Sequence, residues 1–440
     1  MNSQVSNDIL ERVILGSLIG FHIIACCISL ACLSRDYYVY HIYYDPVLLK
    51  GAALAIAAFA LLSYVFLRAP FSFGYFVGFY FYTMVVGYLW LNSFSRFEYN
   101  HWLSGASAVA SMVGFLAPAL FVSSPIRQRF RIEESTFDRM LTFILVVGVA
   151  TILFSATYSF RLVSLAQMYE FREKITIPNP LYYWIGITSN SLLPFIFACF
   201  VVRKSYWRAG FTLALLLLFY PITLNKIALF TPAWLLTLAV LTRLFDCRVT
   251  VVISLLLPLI AGLVLYQILG TDARRYLELV NLRMIATPSN AMDIYNDFFF
   301  HHPYTYFCQI RLLKALVACP YQDQLGVVMS SAYGLGNFNA SLFSTEGIAS
   351  VGPLLAPIPV LICGLVVAFA NRLSAGLPSR LVLISSSVLP QILLNVPLTT
   401  TLLSHGAAFL FLLWYVAPRS MFPEQAPLVR VAFHGLSRST

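Results

Sequence analysis

Residues 13–33 read VILGSLIGFHIIACCISLACL, with Arg12 just before them and Arg35 and Asp36 just after. An uncharged run of this length makes a helix of about 30 Å, the thickness of a bilayer's hydrocarbon core. In lipid a helix satisfies its own backbone, so it is the natural form for such a segment. Similar runs recur at 48–67, 73–93, 104–122, 140–158, 181–202, 209–223, 226–243, 249–269, 351–370, 380–397 and 402–417. That predicts about twelve transmembrane helices. The seventh run is short, and the stretch Pro221 to Asn225 offers a re-entrant turn as an alternative.

The whole composition agrees with this reading. The chain has 440 residues, 60% hydrophobic and only 10% charged, with a mean hydropathy of +0.80. Soluble domains carry roughly 25% charged residues. Too little charge is present to cover a soluble globule of this size. Disorder, a coiled coil and a disulfide-rich secreted scaffold are excluded as well. An all-α, polytopic integral membrane protein remains. The net charge of +10 would point to nucleic acid in a soluble domain. Here Lys and Arg lie between apolar segments, so they mark topology and meet lipid headgroups, and no nucleic-acid partner is expected.

Cytoplasmic loops carry the excess of Lys and Arg. With the N-terminus in the cytoplasm, sixteen basic residues fall inside and six on the short outer loops: Arg35, Arg96, Arg161, Arg172, Lys174 and Lys226. Both termini are therefore expected in the cytoplasm. The longest loop, 270–350, is expected outside. The first span lacks a small-residue cleavage site and reads as an uncleaved helix. The chain divides in order into an N-terminal bundle of about nine helices (1–269), the outer loop (270–350), and about three C-terminal helices with a cytoplasmic tail (351–440). In the loop, Thr287-Pro288 predicts a helix start, with the helix running to Phe299 before His301-His302-Pro303. A second helix is expected over Thr305 to Val317. Phe298, Phe299, Phe300, Tyr304, Tyr306 and Phe307 suit a piece lying on the membrane surface.

Cys26, Cys27, Cys32, Cys199 and Cys363 lie in apolar runs and read as small buried hydrophobes. Cys308 and Cys319 share the outer loop. A helix between them would hold them about 16 Å apart, too far for a disulfide. No pair has CxxC spacing, so neither a zinc nor a redox motif is supported.

Several catalytic signatures are absent from the sequence: GxxxxGK[ST], HExxH, GxSxG and an Asp-x-Asp pair. No metal or other cofactor is expected. The polar residues instead gather toward the outer side. Arg274, Arg275 and Arg283 lead the set, with Arg161, Arg311, Lys226 and Lys314 beside them. Guanidinium groups bind phosphate bidentately and keep their charge. Arg274 and Arg275 also suit an interfacial anchor, since they directly follow a span. His301 and His302 can stop a helix or act as bases. His405, near the outer end of the last span, reads as a packed polar residue, as does His22.

The segment Tyr333-Gly334-Leu335-Gly336-Asn337-Phe338-Asn339-Ala340-Ser341 is rich in Gly and Asn, which turn tightly and expose backbone amides. It leads to Glu346-Gly347-Ile348-Ala349-Ser350-Val351-Gly352 and the next span. Glu346 at a helix start is favoured by the macrodipole. It is also placed to accept a proton from a hydroxyl.

In this plan the sequence resembles the bacterial oligosaccharide repeat-unit polymerases, the O-antigen or exopolysaccharide polymerase family of the inner membrane. About twelve spans, a long late outer loop with several Arg, and the Gly/Asn stretch followed by Glu346-Gly347 carry the likeness. The resemblance implies metal-independent glycosyl transfer on the outer face. The substrate would be an oligosaccharide on polyprenyl diphosphate. The partners would be membrane lipids, a chain-length regulator and a flippase. It implies Arg274, Arg275 and Arg283 on the diphosphate, with Arg161, Arg311 and Lys226 in reserve. Glu346, or else His301 or His302, would be the base, and Tyr333, Asn337 and Asn339 would contact the glycan. A transporter or flippase for the same lipid-linked unit, and a ligase-like glycosyltransferase, are the alternatives.

Overall fold

A computed structural model describes residues 2–164, 167–172, 175–310, 313, 316–335 and 345–423. Every regular element among the described residues is helical. Nine helices there are long and apolar enough to cross a membrane. Eight come in sequence: α1 (Asn2–Asp36), α2 (Pro46–Arg68), α3 (Phe73–Asn92), α4 (His101–Phe121), α5 (Glu134–Ala156), α6 (Asn179–Val202), α7 (Lys226–Leu244) and α8 (Cys247–Leu269). Then follow α9 (Thr287–His301), α10 (Leu325–Tyr333) and α11 (Thr345–Leu355), all too short to span. The ninth long helix is α12 (Pro357–Ser374).

The other three expected spans are shorter or broken. The first is Tyr206–Leu218 followed by Tyr220–Thr223, where Pro221 and a left-handed Leu224 end the run. The second splits into Ser379–Ser385 and Leu389–Leu393, because the hydroxyls of Ser385 and Ser386 bond to backbone carbonyls of their own turn. The last splits into Leu398–Leu403 and Ala407–Val416 across Gly406, whose φ is +76°.

The chain forms two compact units. The first comprises Met1–Val122, Val251–Ala368 and Leu393–Leu398; the second comprises Ser123–Thr250, Phe369–Ile392 and Thr399–Thr440. The described part of 270–350 belongs to the first unit.

In the first unit α3 is the central post. Its sequence is apolar on every side, as befits a helix with no lipid-facing or solvent-facing stripe, and Phe73 to Leu91 are all buried. Ser72 caps its start, accepting the Tyr75 N–H at 3.1 Å. α9 lies against α3 and α11. The α3–α9 approach depends on Gly87, since a Cβ there would sit 2.2 Å from Ser289 Oγ. Ser289 in turn donates to the Met84 carbonyl at 2.9 Å. The helix start expected at Thr287-Pro288 is not found: Ala286 is helical and the π-helical stretch Glu278–Ala286 runs straight into α9, with the Thr287 hydroxyl bonding back to the Leu282 carbonyl at 3.0 Å. Nor is α9 a surface helix. Pro288 to Asn296 are buried, along with Phe298 and Phe299.

α11 is kinked at Gly352, φ +76°. Pro353 has no N–H to give the Ala349 carbonyl, and the bend takes the next donor away from Ser350. Both carbonyls are satisfied from another segment: Thr305 N–H donates to Ala349 at 2.8 Å and Tyr306 N–H to Ser350 at 3.1 Å. These N–H groups are thereby spent on α11, and Tyr306 and Phe307 take left-handed φ of 48° and 63°, so the expected helix over Thr305 to Val317 does not form. Its described residues make turns. Those turns bring Cys308 and Cys319 to a Cα separation of 5.2 Å, and they form a disulfide. The expectation that this pair is too far apart is corrected here, because it rested on a helix that is absent.

In the second unit Arg203 forms an ion pair with Asp138, bonding both carboxylate oxygens. Thr188–Leu192 is a single π-helical turn within α6. It widens α6 beside the break at Gly406: Ser191 donates to the His405 carbonyl at 2.7 Å, and Asn190 meets the His405 ring at 3.0 Å. His405 is packed there, as expected.

Candidate functional site

The basic residues divide between the two units. In the first, Arg274 begins a short helix after α8. Its guanidinium donates to the Asp36 carbonyl at 2.9 Å and lies 5.1 Å over the Tyr37 ring. The Tyr37 hydroxyl returns a bond to the Arg274 carbonyl at 3.1 Å. Arg274 is thus a staple at the end of α1. Arg275 and Arg283 are exposed and have no acidic partner among the described residues. Arg275 lies in the short helix Arg274–Leu277 and Arg283 within the π-helical stretch Glu278–Ala286 that continues it. In the second unit, Arg161 donates its backbone N–H to Pro221 and lies over the Phe171 ring. Lys226 opens α7 behind the cap Asn225. Arg311, Lys314, Lys174, Asn337 and Asn339 lie outside the described residues.

His301 and His302 close α9. Their Nδ1 atoms meet the carbonyls of Asp297 and Phe298 at 3.1 and 2.8 Å, and the His302 ring stacks on Phe298 at 4.0 Å. Both histidines are exposed.

Glu346 stands in the first turn of α11, beside the buried Tyr295 of α9. Gly347 lets the chain fold back here, since a Cβ on it would meet the Ala356 backbone at 2.9 Å. Burial pushes the Glu346 carboxyl up to about 7. It therefore exchanges its proton near neutral pH, as a general base must.

The structure also holds a polar network that the sequence reading passed over. Along α9, Asn290, Asp293, Asn296 and Asp297 make a polar stripe on a helix that is otherwise apolar. Asn290 donates to the Tyr40 carbonyl at 2.7 Å, fixing the loop after α1. Asp293 is 1% exposed and bonds the Tyr99 hydroxyl. Tyr99 also reaches Asn92 Oδ1 at 2.9 Å, and the His101 ring meets the same oxygen at 3.0 Å. Asn296 accepts from Ser104 at 2.8 Å and donates to Tyr88 at 3.1 Å. Asp293 has no basic partner among the described residues. Burial raises its carboxyl to about 7. The negative charge of Asp297 adds to that, and bonds from Tyr99 and Ser95 oppose it.

Asp297, one turn on, is half-buried. It accepts from the Tyr333 hydroxyl at 2.6 Å and the Glu98 N–H at 3.3 Å. Of the expected glycan residues, then, Tyr333 is tied to a carboxylate on α9. The signal that could have exposed this stripe is its spacing. Polar residues at i, i+3, i+6 and i+7 share one helix face, and burying them demands partners.

Comparison with protein-family models, with curated proteins and with solved structures finds no match.

Proposed function

We propose that this chain joins oligosaccharide repeat units carried on polyprenyl diphosphate, at the outer face of the bacterial inner membrane, with both termini in the cytoplasm. What supports the reading is the place of Glu346, half-buried beside Tyr295 in the first turn of a helix kinked at Gly352, where its surroundings raise its proton affinity. A hydroxyl of one unit attacks the anomeric carbon of another and gives its proton to Glu346. The anomeric C–O bond to the diphosphate breaks. Arg275 and Arg283, exposed and without acidic partners, meet the charge that develops on the leaving group. Arg274 holds their helix in place. The Cys308–Cys319 disulfide supports an oxidising compartment for the loop, since such bonds persist outside the cytosol. A flippase upstream and a chain-length regulator alongside fit this role.

In a deletion strain, Glu346→Gln is expected to leave single repeat units on the surface and no ladder of longer chains. A wild-type ladder from that variant removes Glu346 from the chemistry. Asp293, a buried carboxyl without a basic partner, is what favours the alternative of a transporter for the same lipid-linked unit, because such groups mark proton relays in membranes. Its signature is untranslocated lipid-linked units accumulating in the deletion strain.

A further inference from the structure

Two loops of the first unit and the end of α10 meet around Asp297. The loop after α1 brings His41, the loop between α3 and α4 brings Phe97, and the end of α10 brings Tyr333. The ring centroids are 5.2 Å apart for His41–Phe97, 5.7 Å for Phe97–Tyr333 and 6.2 Å for His41–Tyr333. All three rings and Asp297 are half-buried.

Two features of this cluster are costly for mere packing. His41 has φ +57°, a left-handed conformation that costs a non-glycine residue about 1 kcal/mol. Asn290, buried in α9, holds the Tyr40 carbonyl next to it. Asp297 lies toward the carbonyl end of α9, where the macrodipole disfavours a carboxylate, and no basic residue among those described pairs with it. Its two protein bonds leave lone pairs unused. His41 Nδ1 meets the Tyr43 hydroxyl at 3.3 Å, and its Nε2 has no partner among the described residues. An anionic ligand is opposed by Asp297 and the neighbouring Glu98. The nearby cation, Arg96, is occupied over the Tyr43 ring at 4.4 Å.

A carboxylate and an imidazole nitrogen with spare bonding capacity, set among aromatic rings, match one ligand chemistry. A saccharide ring offers hydroxyl donors on its rim and C–H patches on its faces. The hydroxyls suit the carboxylate, and the C–H patches suit the negative faces of the rings. We propose that His41, Phe97, Asp297 and Tyr333 form the subsite for the sugar ring that receives the transferred chain. Asp297 and His41 hold its hydroxyls, and Tyr333 is positioned by Asp297. This rests on the polymerase reading for the ligand's role, but its chemistry is tested separately.

The probe is the oligosaccharide released by mild acid from the producing strain's lipid-linked pool, with saturation-transfer NMR on the full chain in lipid nanodiscs. Wild type should transfer saturation to the ring protons. Asp297→Asn should bind about tenfold more weakly, as expected for losing charged hydrogen bonds. His41→Asn should also lose binding, while its thermal midpoint holds, since Asn tolerates the left-handed region. Equal binding by wild type and both variants, or no binding by wild type, overturns the proposal. Binding that both variants weaken, in a strain whose deletion still makes polymer, keeps the subsite and removes the polymerase reading.

Discussion

Replacing Asp293 with Asn should stabilise the protein increasingly as the pH rises from about 4 to about 7. The carboxyl has an ordinary pKa of 3.8 and is raised to about 7 in the fold, chiefly by burial. The folded chain therefore holds this proton more tightly than the unfolded chain. Its stability is at full value below the ordinary pKa and is lost as pH rises through 7. Each tenfold change in proton affinity is about 1.4 kcal/mol. The ceiling of the loss is then about 4 kcal/mol. Asparagine has the shape of the protonated carboxyl. It keeps an oxygen for Tyr99, offers an amide to Ser95, and has no charge to desolvate. Thermal midpoints of the detergent-purified protein, followed from about pH 5 to about pH 8, read the effect directly. Wild type should fall with rising pH while the variant stays nearly flat and lies above it at the alkaline end. Parallel pH profiles, with the variant lower throughout, would refute the reasoning that Asp293 is a buried carboxyl without a compensating cation.

Four further outcomes follow from the structure. Gly352→Ala combines a φ of +76° with a Cβ 2.6 Å from the Tyr304 hydroxyl, and should lower stability by about 2 kcal/mol or more, read as a drop in thermal midpoint. Arg283→Ala should abolish polymer while single units still reach the surface, with glycan gels as the readout. Thiol counting on denatured, unreduced protein should find six free cysteines, matching those outside the disulfide, and eight after reduction. Reporter fusions within 270–350 should read as exported and fusions after Phe422 as cytoplasmic.

The long spans were legible because uncharged runs near 20 residues have only one stable form in lipid. The Thr287-Pro288 signal misled, because a π-helical stretch carries the helix through it and leaves no N-terminus there to cap. What escaped were features set by partners distant in sequence. The broken helices end where hydroxyl bonds and Gly406 compete with propagation, and apolar periodicity does not register either. The Cys308–Cys319 bond needed the Thr305 and Tyr306 N–H groups to be claimed by carbonyls freed at Pro353. α9 carries enough aromatic surface to read as interfacial, yet its polar stripe is matched by Tyr99, Tyr40 and Ser104 from other segments. Glu346 was identified from its local setting. Its raised proton affinity, by contrast, comes from burial beside Tyr295. The arginines share a charge but not a setting: Arg274 is bonded to the Asp36 carbonyl and lies over Tyr37, which leaves Arg275 and Arg283 as the open pair.

Profiling the surface glycans and lipid-linked intermediates of a deletion strain tests the polymerase reading most directly. Loss of every chain longer than one repeat unit, with single units still delivered to the surface and restored ladders on complementation, is the predicted result. An unchanged ladder in that strain would contradict it.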